Sequence, residues 1–447
     1  MKYTILEAAW ILPVTSHPLK NAGILIADNR IETIITNGQA QEIISGNDCI
    51  RHNYGQAILV PGFINLHSHL EYTSLQSLSA EGGLFAWLAR LMQSSAGWSE
   101  DDRIHSIQQG IKEIISAGTT FIVDNSYSGA SASAIARSGL RGLIGLELFG
   151  VDQSLSDKHW LNWQQRLELV LADRCVEQAH KEGRLDITVA PHAPYTVCPP
   201  LWRKAQHWAK NNNKIVLTHL AESVAECQWF GTANGDLERF LIGAFSKTDA
   251  DFSRLHKEKL AWNKGSCSPV MHLYNHGLLE KNLLAGHAVH VGDEDIDLLR
   301  EKAVAIAHCP RSNARLGCGR APLGKMIKSG LKVGLGTDSK ASNDDLDLLA
   351  EARFAARWHE EHKPSLKMEP KEIIEHLTIK AAACLGRENE LGSLKPGKLA
   401  DIAVFALPEN KEYIQRNQDP YDLLLMGKLK MKALFVNGTE ISGFQAP

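Results

Sequence analysis

Between residue 58 and about residue 390 the chain alternates short apolar runs with longer stretches whose apolar residues recur at helical spacing. That alternation is the mark of a parallel α/β sheet with helical crossovers. Eight runs qualify as strands: Ile58–Leu66, Thr120–Asp124, Gly142–Leu148, Ile187–Ala190, Ile215–Thr218, Leu283–Gly286, Ala303–Ala307 and Val333–Gly336. Eight such units over roughly 300 residues predict an α/β fold closed as a (β/α)8 TIM barrel rather than an open sheet. An open doubly wound sheet calls for a glycine-rich loop after its first strand, and Pro61-Gly62-Phe63 is not one.

The two ends have a different pattern. Thr4–Leu12, Gly23–Ala27 and Arg30–Ile35 read as strands, as do Asp401–Leu407 and Ala433–Val436, the last ending in the hairpin dipeptide Asn437-Gly438. Residues 1–57 and 391–447 are therefore expected to meet in one small discontinuous, β-sandwich-like domain beside a barrel of residues 58–390. Two stretches interrupt the alternation, Ser77–Glu100 after the first strand and Cys227–Leu279 after the fifth. Insertions at those places lie on the active-site face of a barrel and often form lids.

Composition narrows the class. Hydrophobic residues make up 44% of the 447, enough for a large core, and the formal charge of −3 gives no field to attract nucleic acid or anionic lipid. There is no signal-like N-terminus and no apolar run long enough for a membrane span. Eight dispersed cysteines without a C-x-x-C pair fit reduced thiols. The expectation is a soluble cytoplasmic enzyme acting on a small-molecule substrate without nucleic-acid or membrane partners; a homodimer is the default for this size.

Candidate chemistry sits at strand ends. His67 and His69 are two apart at the end of the first strand and can face one ion. His219 follows the fifth strand, His287 the sixth and Asp338 the eighth, so all converge on one barrel mouth. Imidazoles with one carboxylate and no thiolate suit Zn²⁺ first and Fe²⁺ second. A bridged pair of ions commonly uses a modified lysine after the fourth strand, and none stands there, so one divalent ion per chain is expected.

The combination of Pro61–His69, Pro191-His192-Ala193-Pro194-Tyr195, His219-Leu220-Ala221-Glu222, His308–Asn313, Gly336-Thr337-Asp338-Ser339 and Leu391–Asp401 resembles the amidohydrolase superfamily over nearly the whole chain. Within it the chain looks like the ring-deaminase branch, nearest in appearance to aminofutalosine deaminases. Adenosylhomocysteine and methylthioadenosine deaminases share the Pro-His-x-Pro-Tyr element but usually have a smaller residue at the position of Arg311.

The resemblance implies His67, His69, His219 and Asp338 as metal ligands. Asp338 would also take the proton of the attacking water, Glu222 would pass a proton to the ring nitrogen, and His287 would orient the water. His192, Glu71, Trp87, Arg311, Ser312 and Asn313 are the implied substrate contacts. The implied reaction is hydrolytic deamination of an adenine nucleoside derivative such as aminodeoxyfutalosine, with release of ammonia. The alternatives are displacement of chloride or an amine from a triazine, deamination of guanine or a pterin, ring-amide hydrolysis, and a non-catalytic barrel serving assembly.

Overall fold

The computed structural model describes residues 2–36, 49–232, 235–245, 266–362, 367–409 and 419–441. Its centre holds eight strands: β1 (Phe63–Ser68), β2 (Thr119–Ser126), β3 (Arg141–Leu148), β4 (Leu185–Pro191), β5 (Val216–Leu220), β6 (Leu283–His287), β7 (Ala305–His308) and β8 (Val333–Leu335). Parallel ladders run through β1–β4 and through β5–β8. The Asp338 N–H donates to the His67 carbonyl, and the His219 N–H donates to the His192 carbonyl, both at 2.9 Å. These two bonds join the halves, and the sheet closes into a barrel.

Alternation along the strands sorts their side chains. Phe121, Val123, Leu143 and Leu217 join the apolar cluster inside the barrel, while Ile122 and Ile144 join the one beneath the helices. Helix Glu100–Ser116 illustrates the outer layer. Ser99 and Asp102 form a capping box at its start, three acidic residues complement its dipole, and Ile107, Ile111 and Ile114 recur on the buried face.

Strands from both ends pair in one sheet. Ala57–Pro61 lies between Tyr3–Ile11 and Ile402–Ala406, antiparallel to the latter. The pairing is continuous over eight strands, with Tyr3–Ile11 paired to Cys49–Asn53 along its first half and to Ala57–Pro61 at its end. The apolar run Ile58–Leu66 is two strands rather than one: Ala57–Pro61 belongs to this sheet and β1 to the barrel. Gly62 divides them, and a Cβ there would stand 2.2 Å from the Thr120 side chain. The C-terminal part is not all strand: Asp419 caps a helix at Pro420–Met426 by accepting from the Tyr421 N–H at 2.8 Å.

Arg141 of β3 ties the sheet to the barrel. Its guanidinium meets the Asp401 carboxylate at 2.5 and 3.2 Å, with both side chains almost fully buried. Over the barrel mouth, helices Gly83–Ser95 and Asp236–Phe245 from the two insertions pack together through Phe85 and Phe240, ring centres 5.4 Å apart. Residues 233–234 and 246–265 of the second insertion lie outside the described residues. No described helix is long and apolar enough to cross a membrane.

Candidate active site

The ends of β1, β5, β6 and β8 bring His67, His69, His219, His287 and Asp338 together in the barrel mouth, all buried. Ligand atoms of His67, His69 and His219 lie within 4.8 Å of one another. His69 Nε2 and His219 Nε2 are 3.1 Å apart, and Oδ1 of Asp338 is 3.6 Å from Nε2 of both His67 and His69. Two nitrogens held about 2.0–2.1 Å from a tetrahedral ion stand about 3.3 Å apart, close to this spacing. His67 Nε2 and His287 Nε2 are buried without a hydrogen-bond partner, and such orphaned nitrogens are costly unless an ion or water meets them.

Protonation agrees with ligand duty. Burial first, then neighbouring imidazoles, pushes His67 well below its ordinary value and His69 down to about 3, so both rings are neutral. The His219 Nδ1–H donates to the His192 carbonyl at 2.8 Å, and the His287 Nδ1–H donates to Asn313 Oδ1 at 2.8 Å. Each bond fixes the tautomer and aims the Nε2 lone pair into the site. The Asn125 amide lies 3.0 Å from His67 Nδ1. With its oxygen on that side it accepts the Nδ1 proton and does the same for His67. His67, His287 and Cys309 form a second close trio. Burial pushes the Cys309 thiol well above its ordinary value, so the first trio is the better ligand set.

Burial alone would raise the Asp338 carboxyl, but His287, His67, His69 and the Ser312 hydroxyl hold it well below the usual carboxylate range. Its Oδ2 accepts from Ser312 Oγ at 2.5 Å and Ser342 Oγ at 2.9 Å. Asp338 (φ 57°) and His287 (φ 70°) both occupy left-handed backbone, a strain of about 1–3 kcal/mol each that marks functional positions. Gly336 lets β8 approach β1: a Cβ there would lie 2.7 Å from that of His67.

Glu222 lies just beyond β5 in the same chamber. Burial pushes its carboxyl up to about 7, where a group can both give and take a proton. Cys318 Sγ and His287 Nδ1 each stand 3.8 Å from its Oε1.

Two cavities meet here. The inner one is lined by His69, His219, His287, Glu222, Asp338 and the insertion residues Trp87, Leu88 and Leu91. Trp87 is fixed by its indole N–H, which donates to the Ala341 carbonyl at 3.1 Å. The outer one, of about 660 Å³, includes His192, whose ring stacks on Phe149 with centres 4.7 Å apart.

The expected substrate contacts Glu71, Arg311, Ser312 and Asn313 line neither cavity. Glu71 is fully buried and accepts from Ser126 and Ser128, holding the turn after β2. Arg311 pairs with Asp345 at 2.7 Å and with Asp344 and Glu351. Ser312 and Asn313 are buried behind the site, orienting Asp338 and His287 instead.

Sequence reasoning passed over Asn125 and Glu147. Glu147 lines both cavities and lies 3.8 Å from His69 Nδ1, with its carboxyl pushed up to about 8 by burial. A charged residue inside the apolar run of β3 was the available signal.

Over 437 residues, 95% of this chain, it is 28% identical to a 5-methylthioadenosine/S-adenosylhomocysteine deaminase of Halothermothrix orenii, covering 89% of that protein. A zinc-bound adenosine deaminase from Xanthomonas campestris superposes with a TM-score of 0.79 at 20% identity, over 98% of this chain and 92% of its own. Helicobacter pylori aminofutalosine deaminase, solved with methylthio-coformycin, gives 0.79 at 21% identity over 98% and 99%. The profile of the amidohydrolase family matches residues 58–440, and the chain belongs to that family.

Proposed function

We propose that this protein is a hydrolytic deaminase of an adenine nucleoside derivative and works with one divalent ion per chain, Zn²⁺ first. The observation that carries the proposal is the placement of Glu222. It is a buried acid with a near-neutral pKa in the chamber where three neutral imidazoles and an ionised Asp338 converge. The relatives named above, which deaminate purine nucleosides by their names, point the same way.

His67, His69, His219 and Asp338 would hold the ion. When bound, it lowers the pKa of water towards neutrality. Asp338, kept ionised by its neighbours, accepts the proton of the attacking water. Ser312 and Ser342 occupy Oδ2 and leave Oδ1 facing the site. Glu222 delivers a proton to the ring nitrogen beside the carbon under attack; the proton taken up by Asp338 passes to the amino group, which leaves as ammonia, and Glu222 regains its proton from the hydroxyl as the carbonyl forms. His287, with Nδ1–H held by Asn313, presents Nε2 to the water and orients it. Trp87, Leu88 and Leu91 cover the chamber and exclude bulk water.

Arg311 no longer weighs against methylthioadenosine or adenosylhomocysteine as substrates, because its side chain is engaged with Asp344, Asp345 and Glu351. Aminodeoxyfutalosine therefore shares the candidate list with both. Eight free thiols support a cytoplasmic setting, and a homodimer is our expectation for assembly. The test is ammonia release by zinc-loaded protein across adenosine derivatives, aminodeoxyfutalosine, guanine, pterins and aminotriazines. Turnover of adenine nucleosides is expected; turnover confined to triazines, guanine or pterins overturns the proposal.

A further inference from the structure

The inner and outer cavities share Tyr72, Leu88, Leu91 and Glu147. Three of these offer apolar or aromatic surface. Glu147 is the carboxylate among them, and its side chain is only 5% exposed. Among the described residues no donor forms a hydrogen bond to that carboxylate, and His69 Nδ1 stands 3.8 Å from it. Arg166, the adjacent cation, is spent on the backbone carbonyls of Tyr127 and Glu147. With no donor from the described residues on them, the Glu147 oxygens on the cavity walls are open to donors from a bound molecule.

Its position says which part of a substrate supplies them. The reacting ring must reach Glu222 and Asp338 in the inner cavity, and an extension has its broadest opening into the outer one, which shares four lining residues with it, whereas the groove beside Leu84 and Leu316 shares those two. Whatever joins the ring to an extension in the outer cavity passes Glu147. In a nucleoside that joint is the sugar, whose vicinal hydroxyls both donate and accept and so match the two oxygens of a carboxyl group. We propose, resting on the deaminase assignment above, that Glu147 is a specificity-determining residue that binds the 2′- and 3′-hydroxyls of the substrate ribose. His192, on the wall of the outer cavity, flanks the same sugar.

The test compares adenosine with 2′,3′-dideoxyadenosine, which keeps the reacting ring and lacks both hydroxyls. Zinc-loaded wild type is expected to prefer adenosine in kcat/KM by about 10–100-fold, the range for a pair of hydrogen bonds at a water-excluded site. In Glu147→Ala the loss should fall on adenosine, mainly through KM, and the preference should collapse. The dideoxy rate and the zinc content should stay near wild type. Glu147→Gln keeps the volume and one acceptor oxygen, so it decides the matter should the alanine variant not fold: its preference falls between the two. A preference unchanged in both variants, equal losses on the two nucleosides, or loss of zinc overturns the role of Glu147 alone. Wild-type turnover confined to free bases or triazines removes the deaminase assignment and this inference together.

Discussion

The backbone N–H of Asp338 donates to the carbonyl of His67 at 2.9 Å, so the bond that closes β8 onto β1 also sets two candidate ligands side by side. An isolated bridge between Ser68 and Asp338 marks the same seam. Neither residue can shift without opening the barrel at that point. The ligand geometry is thereby as rigid as the fold itself, which is what a metal site needs before any ion arrives.

Metal content follows from this arrangement. Elemental analysis of purified protein should find about one equivalent of Zn²⁺ or Fe²⁺ per chain, the stoichiometry of one tetrahedral site. His67→Ala, His69→Ala, His219→Ala and Asp338→Ala should each lose it. Chelation should abolish turnover, and added Zn²⁺ should restore it. Two equivalents in every preparation would contradict a single-ion site.

Glu222→Gln preserves shape while removing the titrating group. Turnover should fall about 10²–10⁴-fold, the contribution of a positioned acid–base group, with metal content unchanged. Asp338→Asn should differ by losing metal and proton acceptor at once. A Glu222→Gln enzyme that retains most of its activity would reduce this residue to a helix-start carboxylate.

Asn313 and Ser312 are expected to act through their neighbours. Asn313→Leu frees the His287 ring to change tautomer, and Ser312→Ala strips one donor from Asp338 Oδ2. Removal of such supporting bonds typically costs about 10–100-fold, and kcat should fall while KM stays near wild type. A rise in KM with kcat intact would mean that these side chains touch the substrate after all.

The Arg141–Asp401 pair should matter for stability rather than catalysis. Removing one partner strands a buried charge, at about 3–5 kcal/mol. Arg141→Leu should melt well below wild type, with the specific activity of the folded fraction unchanged. A wild-type melting temperature would show that the pair does not couple the end sheet to the barrel.

Stability should also carry a pH signature from Glu351. Burial pushes its carboxyl up from an ordinary 4.5 to about 8, against the opposing pull of Arg311 and Asn343. The folded chain thus keeps a proton that the unfolded chain releases. The stability linked to that proton is complete below about 4.5 and is lost as pH rises through about 8. Glu351→Gln stays neutral, so its melting temperature should decline less than that of wild type between about pH 6 and pH 9. Parallel declines would refute the assignment.

The chain's order of residues determined the alternation of strands and helices, and with it the placing of His67, His69, His219, His287 and Asp338 at strand ends. Period-two and period-3.6 patterns are local properties, and a barrel turns strand ends into a common rim by topology alone. What lay beyond the sequence was which side chains face each other across that rim. Arg311, Ser312 and Asn313 stand beside the site in the chain, yet their partners Asp345, Asp338 and His287 come from other elements and draw them away from the cavities. Glu147 shows the reverse: one charge in an apolar strand acquires its place only when β3 meets the end of β1. The split at Gly62 had the same origin, because the steric demand comes from Thr120, 58 positions along the chain. Contacts between residues distant in sequence depend on closure of the whole barrel, and no local pattern encodes them.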